Sequence, residues 1–107
     1  MRIALALSLL CLCLPVHAQT GSADAAKGKI SMCIGCHGIP MYKTAFPEVY
    51  SVPMIAGQSS QYIVKALQAY RAGERSHPTM QGIAKGLSDQ DMADVAAYYG
   101  GGGKAAK

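Results

Sequence analysis

Cys33-Ile34-Gly35-Cys36-His37 is the stretch on which the fold turns. It sets two thiols three positions apart, with an imidazole directly after the second. Residues three apart on a helix are neighbours on one face, so one turn can present both sulfurs together with the ring beside them. Three chemistries compete for such a cluster. A structural zinc site takes four nitrogen or sulfur ligands, and beyond these three residues only His77 remains outside the first eighteen positions. A thioredoxin-like dithiol belongs near a βαβ pattern, and no segment alternates apolar and polar over a useful length. A plain disulfide between Cys33 and Cys36 leaves His37 without a role.

The reading that uses all three residues is C-x-x-C-H, the attachment signature of c-type haem. Each thiol adds to one of the two haem vinyl groups, and His37 projects toward the iron from the same side. Imidazole is a good haem-iron ligand, and its second nitrogen can be oriented by a backbone carbonyl. The sixth iron position has several candidates. Met32 and Met92 lie in helical segments and read as packing, the usual use of methionine in a core. Met41 follows His37 too closely to reach the opposite haem face. Met54, next to Pro53, can line the pocket. Met80 stands after Pro78 on a loop between two helices, far enough along to wrap the haem edge and return, and is preferred. His77 reads as a solvent-facing loop histidine.

The N-terminus is of another kind. Met1-Arg2 is followed by an apolar run from Ile3 to Leu14 and by Val16-His17-Ala18. That is the layout of a secretory signal peptide cut after Ala18, and the run is short of the roughly 20 residues a membrane span needs. The expected division is a signal peptide over 1–18 and one domain over 19–107, with a periplasmic destination. Of the chain's 107 residues, ten are Lys or Arg and six Asp or Glu. Cutting after Ala18 removes Arg2 alone, so the formal charge of +4 becomes +3. Two haem propionates lower it to about +1. Lys27, Lys29, Lys43 and Lys65 are scattered rather than clustered, so no nucleic-acid face is expected. Cys11 and Cys13 leave with the leader, and Cys33 and Cys36 are then the only sulfur pair. An exported domain this small, without disulfides, needs another source of core.

Helical signals fill the rest. Ala23 to Met32 is rich in alanine and lysine, begins near Ser22 or Asp24, and is expected to run on into the cysteine motif as one helix near 23–36. Gly38 to Gly57, broken by Pro40, Pro47 and Pro53, is expected as a long loop. Ser59 to Ala72 carries Tyr62, Ile63, Ala66, Leu67 and Tyr70 on one face, with Gly73 placed for a left-handed C-terminal residue. Arg75 to Gly86 reads as a second loop with one helical turn around Ile83. Ser88 to Tyr99 is the last helix, with Ser88 and Asp91 as a variant capping box and Met92, Val95, Ala96 and Tyr99 as its stripe. The fold class is all-α, three main helices plus loops around one haem.

Taken in order, Cys33-Ile34-Gly35-Cys36-His37-Gly38, Val52-Pro53-Met54-Ile55-Ala56-Gly57-Gln58, Tyr70-Arg71-Ala72-Gly73-Glu74-Arg75, Met80-Gln81-Gly82-Ile83-Ala84, Leu87-Ser88-Asp89-Gln90-Asp91 and Ala96-Ala97-Tyr98-Tyr99 resemble the class I c-type cytochromes, the small bacterial monohaem kind. The resemblance implies the cytochrome c fold and one covalently bound haem c on Cys33 and Cys36. It implies His37 as proximal and Met80 as distal iron ligand, with the Pro53 carbonyl orienting His37. It also implies a crossing of first and last helices, with Gly28 and Ala96 as candidate contact residues. The function implied is single-electron transfer rather than enzyme catalysis, by a monomer that docks transiently at its haem edge on redox protein partners. The alternatives are a haem subunit of a larger exported dehydrogenase or oxidase complex, or a gas-binding or peroxidase-like haem protein. Tyr42, Tyr50 and Tyr62 are expected to pack with wet hydroxyls, and Arg71 and Arg75 to be solvated.

Overall fold

Ser88 starts the best-defined helix, α5 (Asp89–Gly100), through a closed capping box: its hydroxyl accepts from the Asp91 N–H, and the Asp91 carboxylate accepts from the Ser88 N–H. The computed structural model describes residues 19–46 and 49–101; the expected leader over 1–18 and the tail beyond Gly101 lie outside the described residues. The other elements are α1 (Ala23–Ala26), α2 (Ser31–His37), the short strands β1 (Lys43–Thr44) and β2 (Tyr50–Ser51), α3 (Ser60–Ala72) and α4 (Pro78–Lys85). The all-α class holds, with a small antiparallel clip pairing Lys43 with Ser51 and Thr44 with Tyr50.

Two expected boundaries are corrected. The helix expected over 23–36 is two helices, separated by a turn through Lys27, Gly28 and Lys29. An interior glycine costs a helix about 1 kcal/mol, and breaking there lets Ile30 enter the core while Lys29 reaches α5. The loop expected over 75–86 contains α4, a full helix with Pro78 at its first position. Proline there is already set at a helical φ, while Gly82 dilutes the apolar periodicity that would have revealed the helix.

α3 begins at Ser59, whose hydroxyl accepts from the Tyr62 N–H, and stops at Gly73, left-handed at φ +81°. Its Ile63 and Leu67 meet Met92, Val95, Ala96 and Tyr99 of α5, Ala84 of α4, and Ala26 and Ile30 from the N-terminal segment. This core is small. Its largest fully buried side chains are Met92 and Val95.

The first and last elements do cross, but not at Gly28. A Cβ on Gly28 would meet nothing within 4 Å, whereas one on Gly21 would collide with the Ala93 carbonyl. At Gly21, before α1 begins, the backbone therefore lies directly against α5. Polar contacts reinforce the crossing around Asp94, which is 2% exposed. Its carboxylate accepts from the Ser22 N–H at 2.8 Å, the Gln90 amide at 3.0 Å and the Lys29 ammonium at 2.9 Å. Lys29 also pairs with Asp91 at 2.6 Å.

These contacts make the fold sensitive to acid. The Lys29 hydrogen bond, then those from Ser22 and Gln90, hold Asp94 down at about 2, against an ordinary 3.8. Lys29, followed by Ser88, does the same for Asp91. A carboxylate whose folded value is depressed stabilises the fold fully above its unfolded value, and that stability is lost as pH falls toward the folded one. The melting temperature is therefore expected to hold above about pH 5 and to fall between about pH 4 and 2. Asp94→Asn should lower it at neutral pH and flatten the acid limb. An acid limb as steep as in the native protein would show that the carboxylate does not contribute.

Candidate functional site

α2 carries the cysteine motif as a helix of its own, with Gly38 at its end donating its N–H to the Ile34 carbonyl at 2.9 Å. Cys33 and Cys36 are both half-buried and are not joined to one another. Cys33 packs against the core. Beside it, burial drives the Tyr99 phenol up to about 12, with Cys33 acting in the same direction. Among the described residues, the Tyr99 hydroxyl is the buried side-chain oxygen without a hydrogen-bond partner.

His37 ends α2, and its Nδ1 lies 2.6 Å from the Pro53 carbonyl oxygen. A carbonyl only accepts, so Nδ1 is the protonated nitrogen and donates. The neutral ring then keeps its lone pair on Nε2. The hairpin supplies this partner: the Val52 N–H bonds to the Tyr42 carbonyl at 2.9 Å, closing the clip just before Pro53. Met41 opens the hairpin in the left-handed region at φ +57° and is 94% exposed.

A second cluster forms where Tyr50 of β2 and Tyr70 of α3 reach the residue before α4. His77 is the N-cap of α4, and its Nδ1 accepts the Met80 N–H at 3.3 Å. The expectation of a solvent-facing loop histidine is corrected: its ring packs on Tyr50 at 4.1 Å between centroids and meets Tyr70 edge-on at 6.4 Å. The Arg75 guanidinium lies over the Tyr70 ring at 4.7 Å, and its Nη1 reaches the Tyr62 hydroxyl at 3.4 Å. Met80 is half-buried and packs against the same core as Cys33. Met80 therefore sits in the first turn of a helix rather than on the expected loop.

The structure thus brings His37 and Pro53 into contact and rests Cys33 and Met80 on one core. Of the other methionines, Met92 is fully buried as expected, but Met32 is 63% exposed on α2 rather than packed. Met54 is partly exposed beside Pro53. Arg71 is not merely solvated: it pairs with Asp89 and donates to the Leu87 carbonyl. Sequence reasoning missed His77 as a cap, although a proline placed to open a helix, as Pro78 is, is a helix-start signal. The donor set suits a covalently attached haem: two thiols on one helical turn, an imidazole with its outer nitrogen tied, and a thioether on a separate element. Among the described residues, no group of three His, Cys, Asp or Glu is placed to hold a bare metal ion.

Comparison with known proteins covers the same region. The family model of cytochrome c matches residues 23–99. Cytochrome c-554(548) of Halomonas halodenitrificans is 42% identical over 82 residues, which is 74% of this chain and 94% of that protein. Cytochrome c4 of Stutzerimonas stutzeri is 36% identical over 88 residues, 74% of this chain and 40% of that protein. A thiosulfate dehydrogenase electron acceptor from the same species is 38% identical over 82 residues, 77% of this chain and 35% of that protein. The chain spans nearly all of the first relative and well under half of the other two. With motif, helical fold and relatives agreeing over one stretch of residues, this chain belongs to the cytochrome c family, as a small class I member that carries single electrons on one covalently bound haem c.

Proposed function

We propose that this protein is a periplasmic electron shuttle, a monomer that diffuses between redox protein partners and docks briefly at its haem edge. Cys33 and Cys36 hold the haem, His37 is its proximal and Met80 its distal iron ligand, and Pro53 fixes the His37 ring. The observation that carries this reading is the 2.6 Å contact between His37 Nδ1 and the Pro53 carbonyl. It leaves Nε2 unprotonated and free to bind iron, and a carbonyl partner raises ligand basicity and locks ring orientation. Met80 is favoured over Met41 because it packs on the core, while Met41 is almost fully exposed. It is favoured over His77 because His77 Nδ1 is occupied as an acceptor, which puts the ring proton of the neutral form on Nε2.

When bound, the haem supplies a one-electron couple, and methionine ligation raises its potential. The protein's part would be to hold the iron with His37 and Met80, leaving no vacancy for a substrate. A transient partner interface would bury less than about 1,200 Å² in total. Export is supported by the composition of residues 1–18; among the described residues, no helix is long and apolar enough to cross a membrane.

A second reading, a dedicated electron acceptor for an exported dehydrogenase, is favoured by the relatives named thiosulfate dehydrogenase electron acceptor. Purified holoprotein decides between these and a gas-binding role. The shuttle should run alone as a monomer on gel filtration, cycle reversibly by one electron, and ignore carbon monoxide when reduced. Stable co-purification with a larger dehydrogenase would favour the second reading. Carbon monoxide binding by the native reduced protein would end both.

A further inference from the structure

We propose, resting on the assignment of Met80 as distal ligand, that His77 is a positioning residue for Met80: its imidazole caps α4 and holds the thioether against the iron. The sequence arranges this over four residues. His77 is the N-cap, Pro78 the first helical residue and Met80 the third, so the N-cap side chain faces the Met80 N–H. The bond is 3.3 Å long and runs to the backbone of the ligating residue itself.

A histidine is an unusual N-cap, and its surroundings account for the choice. Serine, aspartate or asparagine caps as well or better, but none offers a ring. Here the ring stacks on Tyr50 from β2 and meets the edge of Tyr70 from α3, while Arg75 covers Tyr70 and reaches Tyr62. The cap is therefore tied to the hairpin and to α3 at once. Through it, the first turn of α4 is held by elements outside α4, so the backbone that carries the thioether cannot shift without breaking the stack or losing the cap.

The acceptor and the ring separate by substitution. His77→Phe keeps a ring for Tyr50 and removes the acceptor. His77→Asn keeps an acceptor oxygen at the corresponding bond distance and removes most of the ring. Imidazole, added to the oxidised holoprotein, competes with Met80 for the iron, and the weak long-wavelength methionine–iron band reports its success. Losing the cap should let imidazole bind about tenfold more tightly in His77→Phe, the size of an ordinary N-cap loss. The reduction potential should fall in the same variant. His77→Asn, which keeps the acceptor and gives up the ring contacts, should fall between the native protein and His77→Phe. If the phenylalanine ring does not fold, His77→Ala against His77→Asn makes the same comparison without bulk, again with about a tenfold difference. Imidazole affinity and potential unchanged in the variants lacking an acceptor would overturn the proposal. So would His77→Asn loosening Met80 as much as they do. Met80→Ala separates the two claims: if it keeps the band, the ligand assignment fails; if it loses the band while the acceptor-free variants behave as native, only the role of His77 fails.

Discussion

Met80→Ala is expected to abolish the weak long-wavelength band of the oxidised protein and to open the iron to carbon monoxide in the reduced one. Alanine offers no donor, and the alternatives are poorly placed to replace it. Met41 stands almost wholly in solvent, and His77 already spends Nδ1 on the Met80 backbone. The potential should fall, because thioether ligation favours the reduced iron. A drop of at least a tenth of the roughly 0.8 V range that axial ligands control is the scale to look for. The backbone should tolerate the change, since Met80 is only half-buried and the Pro78 start of α4 is untouched. An absorption spectrum and a redox titration check this together. An unchanged band would move the ligand to Met54, the partly exposed methionine beside Pro53.

The second large effect concerns the fold. A Cys33→Ala/Cys36→Ala chain is expected to lose its cooperative unfolding transition and much of its helical circular dichroism. The polypeptide buries few large side chains, Met92 and Val95 being the largest fully buried, and α1 and α2 are too short to persist alone. Small exported domains often rely on an added staple because their cores are small. Without thioether bonds the haem is free to leave, and the small core against which Cys33, Ile55, Tyr70 and Met80 pack must then hold the chain by itself. Denaturing both proteins should leave colour with the native chain and none with the variant. A variant that unfolds with the native midpoint would show that the core suffices by itself.

Much of this was legible before any coordinates. The cysteine motif, the Ser88 and Asp91 cap, the Ser59 start and the Gly73 stop are local signals, each settled within one turn of chain. What escaped was non-local or diluted. Gly82 and Pro78 masked α4, because periodicity counts apolar residues and both lower the count. Gly28 suggested a helix crossing because it lies in the right segment, but only the packed chain shows that Gly21 approaches Ala93. His77 looked idle because Tyr50, on which its ring packs, is far from it in sequence, and Tyr70 meets it only once α3 has turned back toward α4. The Asp94 cluster was equally hidden, since one carboxylate in a helical stripe does not announce that Ser22 and Lys29 will reach it.

That carboxylate has a consequence for timing. During synthesis the thiols of α2 emerge long before α5 exists, and until Asp94 arrives nothing captures Ser22 or Lys29. Lys29, four residues before Cys33, reaches Asp94 across 65 positions of chain. The segment that carries the sulfurs is therefore fastened from the last described helix rather than by its own neighbours.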